Sequence, residues 1–386
     1  MIAYNNEWLN NLLVHDQADK ASENQCISKS EKEQVYAAYP AGFYSPNFFV
    51  RVGLFILTVI IVAFSVGFFS LFFLDHMEQV GGLFIFFGFI IYAALEFMVK
   101  KRHYKSGVDD ALMWMAAGNI IGGLNGITHI SFLTNSIIVF VIAGYFFIRF
   151  TNGVMAAIAS LALLAIIFFT VIRLGTIAKA VAPFILMIAA AGIYFFIQQL
   201  LKSGKWKYYT NGFLMISVIA LVSFYAAGNY FVVREASIAM FKMDLKEGQD
   251  IPFGWLFWIF TVAIPILYIT RGVQKKDPVL LRVGMLLVAA IVFTVRYYYH
   301  LIPAEIAMVA GGMVFIGIAY ALIKYLHEPK YGFTHKEQND AFFMDKLHVE
   351  SLVIAQTFSG PQLSTTDTGT QFGGGSGGGG GASGEF

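Results

Sequence analysis

The side chains best suited to chemistry stand close together in the stretch TVRYYYHLIPAEIA, residues 294–307. It combines a guanidinium, a tyrosine hydroxyl, an imidazole and a carboxylate, from Arg296, Tyr299, His300 and Glu305. Arg173 ends another apolar segment and is predicted to join this outer polar cluster. The pattern leaves two interpretations open: a structural ion pair between Arg296 and Glu305, or an anion-binding or gating site. An imidazole, with an ordinary pKa of about 6.5, would add a response to pH.

A second candidate lies in AAGNIIGGLNGITHISFLTN, residues 116–135, where Gly118, Gly122 and Gly126 recur every fourth residue. This spacing places the three glycines on one helix face, where a second backbone can approach closely. Glycines also weaken a helix, which could then unwind and offer its carbonyls to a ligand. Asn119 and Asn125 lie beside them. The stretch therefore predicts a groove that serves either helix packing or a substrate.

No catalytic residue, metal ligand or cofactor site is predicted. The sequence contains no HExxH, phosphate-binding loop or GxSxG motif. Cys26 is the single cysteine, which excludes an intrachain disulfide and a multi-cysteine metal site. Glu96 lies close to the end of an apolar segment. We expect it to pair with Lys100 one helical turn later, with a proton or ion site as the alternative.

The elements that must position these groups follow from composition. Of 386 residues, 58% are hydrophobic and only 13% are charged, against about 25% charged residues in a soluble domain. The net charge of +2 gives no reason to expect a nucleic-acid partner. The lipid bilayer is the expected surroundings, and the expected fold is an all-α, polytopic transmembrane bundle of about ten spans. The predicted spans are 52–74, 83–99, 110–128, 132–149, 153–172, 180–201, 212–232, 253–270, 279–299 and 304–325.

The basic residues predict the orientation. Ten spans place both termini on one side of the membrane, and that side then carries 20 of the 26 Lys and Arg residues. Basic residues accumulate on the cytoplasmic side of membrane proteins. We therefore expect a multi-pass protein of the cell inner (cytoplasmic) membrane with both termini in the cytoplasm.

Four regions follow from this pattern: a cytosolic N-terminal helical segment (1–50), the transmembrane bundle (51–326), a cytosolic amphipathic segment (327–358) and a disordered Gly/Ser-rich tail (359–386). In the first region, apolar residues at helical spacing predict one helix. Ser28, three residues before Glu31, predicts a capping box that starts a second helix. We expect these helices to rest on the membrane or the bundle, with docking of a partner as the alternative.

Two parts of the sequence resemble known membrane proteins. Ile27, Ser28 and residues 31–39, followed by the span after Arg51, resemble the start of a bacterial membrane-domain family of unknown function. The C-terminal part, from RYYYHLIPAEIA to FGGGSGGGGGASGEF, is similar to uncharacterised membrane proteins of Bacteroidetes-type bacteria. Its ending is also similar to the glycine-rich tails of TPM-domain membrane proteins. The resemblance implies a bacterial origin and a native tail rather than a cloning remnant, but no activity.

Two functions remain open from the sequence. The first is a non-enzymatic membrane scaffold or envelope-associated component, with the N-terminal helix and the C-terminal tail as sites for a protein partner or self-association. The alternative is a secondary transporter or channel for a small solute or ion, in which the glycine groove and the outer polar cluster do the work. A water-accessible cavity beside Asn119 and Asn125 would favour transport.

Overall fold

The computed structural model of the chain describes residues 2–72, 80–127, 130–173, 175, 178–241 and 250–298, and single positions at 309, 312, 313, 316, 317, 320 and 324. The chain divides into a large unit, Met1–His335, and a C-terminal unit, Lys336–Phe386. The second unit lies outside the described residues. The predicted amphipathic segment (327–358) and the predicted tail (359–386) lie entirely outside the described residues.

The described part is helical, and no β-strand occurs in it apart from one isolated bridge between Tyr44 and His103. The helices are α1 (Asn6–Glu23), α2 (Lys29–Ala38), α3 (Phe48–Leu71), α4 (Val80–Lys100), α5 (Val108–Ile127), α6 (Phe132–Phe150), α7 (Gly153–Ile172), α8 (Ala178–Ser203), α9 (Thr210–Gly228), α10 (Tyr230–Phe241), α11 (Gly254–Lys275) and α12 (Pro278–Tyr298).

Short polar side chains begin several of these helices, as the local sequence predicts. The capping box at Ser28 and Glu31 is confirmed, with the Ser28 amide donating to the Glu31 carboxylate at 2.7 Å. The side chains of Asn47, Ser131 and Asn152 accept hydrogen bonds from first-turn amides of α3, α6 and α7. Each of these caps satisfies amides that a helix start leaves without partners.

Eight helices within the described ranges are long and apolar enough to cross a membrane: α3, α4, α6, α7, α8, α9 with the turn before it, α11 and α12. They identify the chain as a multi-pass membrane protein and coincide with eight of the ten predicted spans. The predicted span 110–128 corresponds to α5, which is not among the eight. The predicted span 304–325 lies mostly outside the described residues, so the count of ten stays a prediction.

The N-terminal segment lies against one end of the bundle. The Ala3 amide donates to the Arg149 carbonyl at 2.9 Å, and the Tyr44 amide donates to the Arg102 carbonyl at 2.9 Å. Tyr208, in the turn before α9, donates to the Asn10 side chain at 2.8 Å. These contacts bring the 101–107 loop, the end of α6 and the 203–209 turn to a single end of the bundle. We call it the basic end, because Lys and Arg dominate those connections.

Apolar packing divides the bundle into two main cores. The first joins α4, α5, α6 and α7 and includes Tyr4 and Leu9 of the N-terminal segment, which are 7% and 5% exposed. The second joins α8, α9, α11 and α12 around Leu221, Tyr225 and Ile264. The N-terminal segment therefore belongs to the hydrophobic core of the membrane domain, because its aromatic and aliphatic side chains are buried there.

The predicted span 212–232 is interrupted. Helix α9 ends at Gly228, Asn229 has an extended backbone (φ −82°, ψ 129°), and α10 starts at Tyr230. The Asn229 side chain accepts a hydrogen bond from the Val232 amide at 3.2 Å. An asparagine that caps a new helix competes with continuation of the old one, which explains the break that hydropathy did not predict.

Candidate functional site

The strongest polar constellation in the described structure lies at the basic end, where α3, α5 and α7 meet. Arg51 of α3 donates to Asp110 of α5 at 2.5 Å. The other Asp110 oxygen accepts from the Asn152 side chain at 3.0 Å, and the Asn152 oxygen caps the first amides of α7. A charge-assisted bond of this kind is stronger than a neutral one. One carboxylate thus ties the starts of three helices together.

Its neighbour Asp109 is 1% exposed and stabilises the turn that leads into α5. It accepts hydrogen bonds from the Lys105 amide at 2.8 Å, and from the Ser106 amide and hydroxyl at 2.8 and 2.9 Å. The Ser106 hydroxyl also lies 3.0 Å from Nδ1 of His103. In this chain of hydrogen bonds from Asp109 to His103, serine rather than histidine lies in the middle, and Ser106 is 0% exposed. A nucleophilic triad needs histidine between the acid and the serine, and a serine that a substrate can reach. The three residues do not meet either requirement.

Tyr4 covers this carboxylate pair from the N-terminal segment. Its ring packs against Tyr104 at 4.8 Å between centroids and against Phe150 at 6.3 Å. Burial, and after it the negative charge of Asp109, raises the pKa of Tyr4 well above its ordinary value of 10. The hydroxyl therefore stays protonated and neutral next to two acidic residues.

A cavity of about 170 Å³ lies among these groups. Its lining includes Tyr4, Arg51, Asp110, Asn152 and Asn211. A second, apolar groove of about 280 Å³ is lined by residues of α7, α8, α9 and α10, among them Ala165, Pro183, Ala226 and Val233. Neither of these two cavities is lined by Asn119 or Asn125. A water-accessible cavity beside those asparagines would have favoured transport.

Glu96 forms a second polar contact, between α4 and α6. Arg149 donates to both of its oxygens, from Nε at 2.9 Å and from Nη2 at 3.1 Å. Tyr92 also donates to Glu96 at 2.6 Å and lies 2.6 Å from the Tyr145 hydroxyl. The expected ion pair with Lys100 is wrong, because the carboxylate turns towards the neighbouring helix. A planar guanidinium can bind both carboxylate oxygens at once.

A third network surrounds the helix break at Asn229, which is 2% exposed. The side-chain Nδ2 of Asn229 donates to the Tyr225 hydroxyl at 2.9 Å and to the Thr294 hydroxyl at 3.0 Å. The Tyr230 amide, at the start of α10, donates to the Thr261 hydroxyl at 3.0 Å. Side chains of α11 and α12 thus satisfy the polar groups that the break would leave without partners.

The predicted glycine groove is split by the packing of α5. A side chain at Gly118 or Gly122 would meet open space, whereas one at Gly126 would approach Gly81 of α4 at 3.4 Å. The closest approach involves Gly123, where a Cβ would lie 2.5 Å from the Gly81 carbonyl oxygen.

The two asparagines of that prediction bond locally. Asn119 donates to the Met115 carbonyl at 2.7 Å. Asn125 donates to the Ile121 carbonyl at 2.9 Å and to the Asn135 side chain at 2.8 Å. The face that carries Gly118 and Gly122 is not the one that contacts α4.

The predicted outer polar cluster lies largely outside the described residues, which include neither Tyr299, His300 nor Glu305. Arg173, at the end of α7, and Arg296 are described, and both are exposed. The arginine that engages the nearby aromatic rings is Arg234 of α10. Its guanidinium lies 5.3 Å from the Tyr298 ring centroid.

Sequence reasoning missed the Arg51–Asp110–Asn152 contact, although a signal was present. Asp109 and Asp110 are adjacent carboxylates at the start of an apolar stretch, two residues after Gly107. Acidic groups are costly next to lipid unless they are paired. Arg51 occupies the matching position at the start of α3. Helical spacing does not connect Arg51 with Asp110, because 59 residues separate them.

Comparison with known proteins adds no relative: no protein-family model matches the chain, and no curated protein or solved structure is significantly similar to it. The resemblance to bacterial membrane proteins of unknown function therefore stays a prediction.

Proposed function

We propose that the protein is a non-enzymatic membrane scaffold whose helical bundle presents the α1–α2 hairpin to a protein partner. The observation that carries this proposal is the way the hairpin is held. α1 is fixed to the bundle through Tyr4, Leu9 and the bond from Tyr208, whereas α2 has no buried residue. The helix that contributes least to the core is thus the one presented outward.

The hairpin itself is held by a small set of polar contacts. Tyr36 of α2 stacks on His15 of α1 with 4.0 Å between ring centroids, and its hydroxyl donates to Asp19 at 2.7 Å. Lys32 of α2 forms an ion pair with the same Asp19 carboxylate. Glu33, one residue after Lys32 on α2, is exposed. Ordering a helix costs conformational entropy, and since α2 adds nothing to the core, a binding role accounts for its order.

Location and orientation form part of the proposal. We place the protein in a bacterial inner membrane with the basic end and both termini in the cytoplasm. The bias of Lys and Arg supports this orientation. The C-terminal tail, beyond the described residues, would be a second contact for a partner or another copy of the chain.

Site-specific photo-cross-linking tests this function in the full-length protein. A photoreactive residue at Glu33 is expected to give a discrete protein adduct in native membranes. The same residue at Ile61, which is 56% exposed on the lipid-facing α3, is the matched control and should give none. Tyr4→Ala, which detaches the N-terminal segment, should reduce the adduct severalfold. Tyr208→Phe removes only the hydroxyl contacts with Asn6 and Asn10 and keeps the ring, so it should reduce the adduct less.

Two results would contradict the scaffold. One is the absence of any adduct at position 33; the other is an adduct that Tyr4→Ala leaves unchanged.

A second candidate function, solute or ion transport, is favoured by the helix break at Asn229. Discontinuous helices with buried polar residues form the substrate sites of several transporters. Currents recorded on proteoliposomes during rapid ion or solute exchange test this alternative. A current that Asn229→Leu abolishes would favour transport, and protein-containing vesicles indistinguishable from empty ones would leave the scaffold as the better account.

A further inference from the structure

The 202–207 turn between α8 and α9 forms a basic surface patch. Its residues are all exposed and include three lysines, Lys202, Lys205 and Lys207, and Trp206 at 49% exposure. Gly204 adopts a left-handed backbone (φ 64°) that ends α8 and redirects the chain. Tryptophan favours the membrane–water interface, because its ring is apolar and its N–H is polar.

Two tyrosines, the half-buried Tyr208 and the buried Tyr209, hold this turn in place. Tyr208 donates to Asn10 of α1 at 2.8 Å, and Tyr209, which is 8% exposed, donates to the Ile148 carbonyl at 2.8 Å. Trp206 contacts the Tyr209 ring with 5.8 Å between centroids. The lysines and the tryptophan are therefore presented from a fixed backbone, which reduces the entropy that a ligand must remove on binding.

A lipid-facing stripe on α8 leads to the patch. Ile188, Phe195 and Lys202 follow at intervals of seven residues, and a straight helix drifts only about 20° over each interval. Ile188 is 73% exposed and Phe195 is 64% exposed. Lys202 lies about 10 Å along the axis from Phe195. The span Ala180–Ser203 has 24 residues, about 36 Å, and exceeds the hydrocarbon thickness of roughly 30 Å. Its end therefore reaches headgroup depth.

The charge of the patch is not neutralised locally. The sequence has no Asp or Glu between Asp110 and Glu235. Among the described residues, the ion pairs involve Asp16, Asp19, Glu96 and Asp110, and none includes a lysine of the turn. Lys207 instead lies 5.3 Å from the Tyr208 ring centroid. An anionic partner is thus favoured, at the depth where phospholipid phosphates lie.

We propose that the 202–207 turn binds the headgroup of an anionic phospholipid whose acyl chain lies along Ile188 and Phe195. The three ammonium groups bind the phosphate, Trp206 lies at the glycerol level, and the α8 stripe contacts the chain. This site is separate from the scaffold function, since its proposed lipid contacts lie on α8 and the 202–207 turn rather than on α2, and it needs no protein partner.

Native mass spectrometry of the full chain, extracted from bilayers of phosphatidylcholine and phosphatidylglycerol, tests the site. The wild type is expected to retain phosphatidylglycerol selectively. A basic group near an anionic surface contributes about a fivefold gain in affinity, so K202Q/K205Q/K207Q should retain at least about tenfold less. The matched control K20Q/K29Q/K32Q removes the same charge from the α1–α2 hairpin and should retain as much as the wild type.

Equal retention of phosphatidylglycerol by the turn variant and the wild type would overturn the proposal. An equal loss of the lipid in the control variant would also overturn it, because net charge rather than the turn would then explain the binding. Glycerol phosphate has the headgroup chemistry without the chains and should not compete at millimolar concentration; full competition would refute binding of a lipid.

A second measurement does not depend on charge variants. Bilayers containing chain-brominated phosphatidylglycerol should quench Trp206 fluorescence, taken as the difference between wild type and W206F, more than bilayers with the same fraction of brominated phosphatidylcholine. Equal quenching by the two lipids would overturn the proposal.

Discussion

Neighbouring glycines on α5 should respond in opposite directions to the same substitution. At Gly123 a Cβ would lie 2.5 Å from the Gly81 carbonyl oxygen and 2.8 Å from the Ile85 amide nitrogen, both backbone atoms of α4. At Gly122, one residue earlier, a Cβ would meet nothing within 4 Å. The pair therefore separates the effect of alanine on the helix from its effect on the contact between helices.

The magnitudes follow from two terms. Replacing Gly by Ala in a helix interior stabilises by about 0.5–1 kcal/mol, and this is the whole effect expected for Gly122→Ala. For Gly123→Ala, the backbone atoms can yield only if α4 and α5 move apart by about 1 Å. Overpacking of this kind costs about 1–3 kcal/mol. We expect Gly123→Ala to be less stable than Gly122→Ala by about 2 kcal/mol.

Thermal unfolding in one detergent, followed by tryptophan fluorescence, measures the difference. The expected separation of Tm is roughly 2–3 °C, and Gly118→Ala, which also meets open space, should behave like Gly122→Ala. If Gly123→Ala proved as stable as Gly122→Ala, the close approach of α4 and α5 at Gly81 would be refuted. The glycine face predicted from spacing would then be the better description of α5.

Three further predictions concern the polar contacts. Glu96→Gln should lower the unfolding free energy by about 1–2 kcal/mol, because Arg149 loses a charged partner, and a double variant with Arg149→Gln should lose less than the two single losses combined. Asn229→Ala should cost about 2–3 kcal/mol in the same unfolding assay, because it leaves buried hydroxyls without a partner; a cost near zero would argue against the break. Burial, and after it the Asp19 carboxylate, raises the pKa of Tyr36 to about 12. The stability that this tyrosine gives the hairpin is therefore present below about pH 10 and is lost as the pH rises through 12. A fluorophore on Cys26, the single cysteine, should report this loss in the wild type and lack that component in Tyr36→Phe.

The polar contacts illustrate what local sequence cannot supply. Glu96 lies 53 residues from Arg149, and Arg51 lies 59 residues from Asp110. Spacing rules connect residues three or four apart, so they favoured Lys100 as the partner of Glu96. Neither helical spacing nor hydropathy states which face of α4 turns towards α6.

Local sequence was sufficient for the helices and their starts. The long apolar stretches predict the eight membrane-crossing helices, and the Ser28 capping box is confirmed. Both features depend on residues within one segment, because burial in lipid and capping are decided by a residue and its near neighbours. Tertiary structure alone decided that Gly123 rather than Gly122 meets α4, that Asp110 joins three helices, and that Asn229 interrupts a span. Each of these depends on the rotation and pairing of helices distant in the chain, which free-energy differences between packed side chains determine.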